Sequence, residues 1–138
     1  MPAKDLYHDA VRNALIRDGW TITHDPYTIP YGVDKVYVDL GGERTLAAER
    51  GTERIAVEIK SFLGASGVRD FEQALGQYVF YRSLLARVDP ERQLFLAVPV
   101  EAYDVTFSKS ITEPAIQDCK VALVVFDPPR QEILRWMP

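Results

Sequence analysis

Ile55-Ala56-Val57-Glu58-Ile59-Lys60 is the stretch whose reading decides the fold. Its apolar and β-branched residues predict a strand, on which successive side chains point to opposite faces. Ile55, Val57 and Ile59 then share one face, while Glu58 and Lys60 share the other, roughly 6–7 Å apart. One face can pack and the other can carry chemistry. Upstream, Thr45 to Lys60 predicts a hairpin. If its turn is Arg50 to Glu53, antiparallel counting pairs Glu58 with about residue 45. Downstream, Gly64-Ala65-Ser66-Gly67 is turn-like. From Val68 to Leu85 the residues Phe71, Ala74, Leu75, Tyr78, Leu84 and Leu85 then recur at three-to-four spacing, which predicts a helix with one core-facing stripe. Gln77 and Tyr81, four apart, share a face of that helix at the margin of the stripe.

Further out, residues 4 to 18 predict a first helix with Leu6, Ala10, Ala14 and Leu15 inward and Gly19 at the C-cap position. Trp20 to Thr23 starts a strand, Pro26 and Pro30 bracket a turn, and Lys35 to Leu40 alternates as another strand before Gly41-Gly42 breaks it. Gln93 to Ala97 predicts a short buried strand. Val100 to Cys119, broken by Pro114, predicts partial helix, and Val121 to Phe126 with Glu132 to Trp136 predicts a closing hairpin around Asp127-Pro128-Pro129. Helix, three strands, helix, strand is an α/β order in which helices cover both faces of the sheet.

Covered faces give Glu58 and Lys60 their interest. A buried carboxylate and ammonium are expensive unless paired or bound to a metal. With Asp39 nineteen residues upstream, they supply what phosphodiester hydrolysis needs: hard oxygen ligands for Mg²⁺ or Mn²⁺, and a cation to steady the charge on the attacking water. The acid-x-Lys triplet alone carries little weight, since Asp118-Cys119-Lys120 also fits it, but only the Glu58 triplet ends a strand and precedes a long amphipathic helix. The competing reading is an ion pair on an exposed edge strand. Similarly, Tyr81 can be read as a core aromatic with its hydroxyl at the rim, and Gln77 as a surface amide.

With 138 residues and 47% hydrophobic composition the chain is read as one domain, residues 1 to 138. A single cysteine excludes an internal disulfide, and with two histidines it offers no zinc spacing. The longest apolar runs, Leu94 to Val100 and Val121 to Phe126, are too short to span a membrane, and no export signal precedes the first helix, so a cytoplasmic protein is expected. A net charge of −4 and a pI near 5.2 argue against tight autonomous binding to nucleic acid, which draws on lysine and arginine. Arg44, Arg50 and Arg54 are candidates for a small basic rim near the hairpin.

Asp39, Glu58-Ile59-Lys60 and Gln77-Tyr78-Val79-Phe80-Tyr81 together resemble the PD-(D/E)XK nuclease-like superfamily, whose RecB-type branch has a Gln-x-x-x-Tyr helix after the acid-x-Lys strand. Closer resemblance covers nearly the whole chain: Asp18-Gly19-Trp20-Thr21-Ile22-Thr23-His24-Asp25-Pro26, Ile55 to Phe62 and Ala74-Leu75-Gly76-Gln77-Tyr78 are similar to the XisH family, the fdxN element excision controlling factors of cyanobacteria. That resemblance implies a restriction-endonuclease-like core, with a central mixed β-sheet flanked by helices, and a role in controlling programmed excision of a DNA element. It implies DNA and an XisI-type protein as partners, and analogy with the superfamily adds a homodimer. Asp39, Glu58 and the Ile59 carbonyl would be metal ligands, Lys60 the catalytic cation, and Gln77 and Tyr81 positioning residues. Glu43 is the rival of Asp39, because the hairpin brings it nearly as close. Val38 stands where the superfamily often has proline, and Asp5, His8 and Asp9 do not cleanly match the acid of its first helix. A non-enzymatic regulatory subunit on the same fold is the alternative that the resemblance leaves open.

Overall fold

The structure, a computed structural model, describes residues 3–31, 34–37, 45–62 and 66–138. The stretch from Ile55 forms the strand that the alternation predicts, and the rest assembles around it. In chain order the elements are α1 (Ala3–Arg17), β1 (Thr21–His24), β2 (Thr28–Tyr31), β3 (Asp34–Tyr37), β4 (Thr45–Arg50), β5 (Glu53–Ile59), α2 (Gly67–Val88) and β6 (Arg92–Pro99). They continue with α3 (Val100–Ala102), a π-helical turn (Tyr103–Phe107), α4 (Glu113–Asp118), β7 (Leu123–Asp127) and β8 (Glu132–Met137). Six strands form one mixed sheet in the order β1-β4-β5-β6-β7-β8. The pairs β5/β6 and β6/β7 are parallel, and β1/β4, β4/β5 and β7/β8 are antiparallel.

The β4/β5 register places Thr45 opposite Glu58, as counting from the turn predicts, because Arg50 pairs with Glu53 across a two-residue connection. β5 cannot return to β6 by a hairpin, since the two are parallel, and α2 makes the crossover. Alternation along β5 divides the core. Ile55, Val57 and Ile59 pack with Ala10, Val11 and Leu15 of α1, while Ala56 packs with Phe71, Ala74, Tyr78, Tyr81 and Leu85 of α2. The predicted central sheet with helices on both faces is the observed one.

Three expectations need correction. Pro30 is not at a turn but within β2, which pairs with β3 as a separate two-stranded sheet. Each strand of such a pair has one unpaired side, so a residue without an N–H is tolerated there. The strand read from Lys35 therefore belongs to this small sheet and not to the main one, and Val38 to Leu40 lie outside the described residues. Pro114 does not break a helix. It opens α4, where a first-turn residue has no intrahelical acceptor to lose. Gly19 takes its predicted place after α1 with φ +92°, a conformation that glycine adopts without strain. No helix among the described residues is long and apolar enough to cross a membrane.

Candidate functional site at the end of β5

Glu58 lies on the α2 side of the sheet, one step along the alternation from Ala56, and is only 1% exposed. Its neighbours across the sheet are Thr45 and Leu96. Lys60 follows the last β5 residue yet remains tied to the sheet, its N–H donating to the Ala97 carbonyl at 3.2 Å. It is 7% exposed, and among the described residues it makes no ion pair. The acid and the base are thus both buried, and the edge-strand reading fails because β5 is flanked by β4 and β6. In a parallel ladder a residue bonds one neighbouring strand through alternate peptide groups. Ala97 takes the N–H of Lys60, so the Ile59 carbonyl turns away from β6, toward the side where β4 begins.

Tyr81 projects from α2 into the same interior and is 1% exposed. Its hydroxyl is buried without a hydrogen-bond partner, so it is not at the rim. Burial pushes this phenol up to about 12, and the nearby Glu58 charge adds to the shift. Glu58 and Tyr81 are therefore brought together. Gln77, one turn earlier, is half-buried. Tyr78, between them, is structural, because its hydroxyl donates to the Leu94 carbonyl at 2.9 Å and accepts the Ala122 N–H at 3.0 Å, joining β6 to the start of β7. Burial raises its hydroxyl as well.

Asp39 and Glu43 lie outside the described residues. Among the described residues no three His, Cys, Asp or Glu side chains gather closely enough to hold a metal ion. The described part of the site supplies a carboxylate and a main-chain carbonyl, both hard oxygen donors of the kind that Mg²⁺ and Mn²⁺ take. Those donors fit such an ion, with one more acid required from upstream.

His8 of α1, with Nε2 2.7 Å from Asp25 Oδ1 and Nδ1 3.3 Å from Asp9, ties the helix to the segment after β1. Arg12 reaches the other Asp25 oxygen at 3.0 Å. The expected basic rim is instead consumed by ion pairs: Arg50 with Asp18 and Glu53, Arg54 with Asp89 and Glu49, while Arg44 lies outside the described residues. Sequence reasoning missed Arg92, a buried arginine at the start of β6 that bonds Asp89 at 3.0 Å and the Ile55 carbonyl at 2.9 Å. Only its place at the head of an apolar run hinted at burial. Reasoning from sequence also missed the π-helical turn, for which the sequence has no periodic signal.

The XisH protein family model matches residues 1–134. An XisH family protein from Nostoc punctiforme PCC 73102 is 39% identical, with a TM-score of 0.89 over 97% of this chain and 100% of that one. A fdxN element excision controlling factor protein from Anabaena variabilis is 38% identical, with a TM-score of 0.88 over 97% and 99% of the two chains. No curated protein matches the chain. A match over nearly its full length, and solved relatives well above the identity at which a fold alone is shared, place this chain in the XisH family.

Proposed function

We propose that this XisH family member controls excision of a DNA element and holds a metal-dependent phosphodiesterase site at the end of β5, of the PD-(D/E)XK type. The observation that carries the proposal is the burial of an acid and a lysine two residues apart at the end of a central strand, with the Tyr81 phenol beside the acid. Charged groups are not kept in such a place for stability, because replacing them by apolar groups is often neutral or better. Buried ionisable groups gathered at the end of a strand are candidates for a functional site.

Glu58, Asp39 or its rival Glu43, and the Ile59 carbonyl would hold Mg²⁺ or Mn²⁺. The ion, when bound, neutralises phosphate charge and lowers the pKa of a coordinated water. Lys60 steadies the negative charge that develops as water attacks the phosphodiester. The Tyr81 hydroxyl stays protonated at neutral pH and can donate a hydrogen bond toward the carboxylate side of the site. Gln77 positions the lysine or the nucleic-acid backbone. Incubating plasmid and branched DNA with Mg²⁺ or Mn²⁺ tests this: cleavage by the native protein that Lys60→Ala abolishes is expected, and cleavage indifferent to that change would sink the reading.

The net charge of −4 and the engagement of Arg50 and Arg54 in ion pairs favour a second reading, a regulatory subunit that keeps the fold and acts by binding an XisI-type partner or a second copy of itself. Co-purification with such a partner, together with calorimetry showing no metal binding, would support it over the first.

A further inference from the structure

Beside the candidate site is a cavity of about 260 Å³ between the end of β5, the start of α2 and the π-helical turn, lined in part by Ser61, Gly67, Pro99, Glu101 and Thr106. We propose that it takes a phosphate group and, resting on the nuclease-like reading above, that this phosphate belongs to the DNA backbone next to the bond cleaved at Lys60. Thr106 carries the argument. It is 3% exposed, and its carbonyl is taken by the Thr112 hydroxyl at 2.7 Å and the Lys109 N–H at 3.3 Å. Its own hydroxyl has no hydrogen-bond partner among the described residues and faces the cavity that Thr106 lines.

This hydroxyl sits against the first residue of α2, so closely that a Cβ on Gly67 would collide with Thr106 Oγ1. The first four amides of a helix lack intrahelical acceptors. The Ser66 side chain satisfies one, taking the Arg69 N–H at 3.2 Å, and the Asp70 N–H makes the first bond of the helix, to the Ser66 carbonyl at 3.0 Å. Among the described residues nothing accepts the amides of Gly67 and Val68, at the positive end of a 22-residue helix. A buried hydroxyl and the start of α2 at Gly67 meet at one small cavity and form a cradle for an anionic oxygen. The cavity lies below the usual range of roughly 300–1,000 Å³ for drug-sized ligands, which suits a phosphate better than a whole nucleotide. π-helical turns, such as the one that carries Thr106, recur at functional sites.

Glu101 at the cavity mouth and Asp70 in the first turn of α2 are the opposing charges. They penalise a dianion more than a monoanion, so they favour a backbone phosphodiester over a free phosphate, which is largely dianionic at neutral pH. The test uses a short DNA duplex, the same duplex with neutral methylphosphonate linkages, and inorganic phosphate, read by anisotropy and by the amide shifts of Gly67, Val68 and Thr106. Thr106→Val keeps the shape and removes the hydroxyl. The expected results are shifts with the native duplex, weaker ones with inorganic phosphate, none with the methylphosphonate duplex, and about ten-fold weaker duplex binding by Thr106→Val. Unchanged affinity in a folded Thr106→Val would overturn the proposal, as would amide shifts with inorganic phosphate and none with the duplex. Cleavage assays run in parallel separate the two ideas. If cleavage needs Lys60 while Thr106→Val binds normally, the cradle fails and the nuclease-like reading stands. Duplex binding that needs Thr106, with no cleavage by any variant, reverses that outcome.

Discussion

Tyr81 shows what a single residue contributes to the proposed site. A phenol buried without a hydrogen-bond partner gains nothing from its hydroxyl in the native state, so Tyr81→Phe should change stability at pH 7 by under about 1 kcal/mol in urea denaturation. High pH is different. The folded value near 12 exceeds the ordinary value of 10.0, so the native state holds its proton where the unfolded chain has lost it. The contribution is complete below pH 10 and disappears between about 10 and 12, with a ceiling on the order of 2–3 kcal/mol. Tyr81→Phe should therefore shift alkaline unfolding to higher pH. An unchanged alkaline transition would mean that Tyr81 is not held in this buried, charge-adjacent place. Sequence placed Tyr81 on the correct helix face but left its hydroxyl at the rim, because periodicity gives direction around a helix and not depth. Arg92 was illegible for a related reason: its ion partner Asp89 and its carbonyl partner Ile55 come from different elements.

Elements were legible where one local rule fixed them. The β4/β5 hairpin register follows from a two-residue turn plus alternation, and α2 follows from a three-to-four repeat held over many residues. The β2/β3 pair escaped because each strand has four residues and one contains proline, so local preference and tertiary pairing disagree. Strand order beyond the hairpin was equally hidden, since nothing in β6 or β7 announces which neighbour each will take. Tyr78 is a seam at this scale. Its hydroxyl serves both a carbonyl of β6 and the amide just before β7, so Tyr78→Phe leaves two buried backbone groups unsatisfied. A loss of about 2–4 kcal/mol is expected, against under about 1 for Tyr81→Phe on the same helix. Equal effects of the two changes would contradict the assigned hydrogen bonds.

At the scale of the molecule, the sheet puts its charged pair at one end and its structural ion pairs at the other. Glu58 and Lys60 lie at the finishing end of β5, whereas Arg54, Asp89 and Arg92 cluster where β5 and β6 begin. Ligands of open α/β sheets gather beyond the carboxyl ends of the parallel strands, which is the Lys60 end. This separation was only half visible beforehand. Family resemblance and the acid-x-Lys motif marked the end that carries the proposed site, while the opposite cluster needed the parallel β5/β6 register to bring Arg54 beside Arg92. An upstream acid is the remaining member of the proposed site, and Asp39→Asn against Glu43→Gln distinguishes the rivals by which one weakens metal binding. Calorimetric titration of Mn²⁺ into the native protein and into Glu58→Gln tests the central claim most directly. The account predicts binding to the native protein, weakened at least ten-fold by Glu58→Gln; heats indistinguishable between the two, or no binding to either, would contradict it.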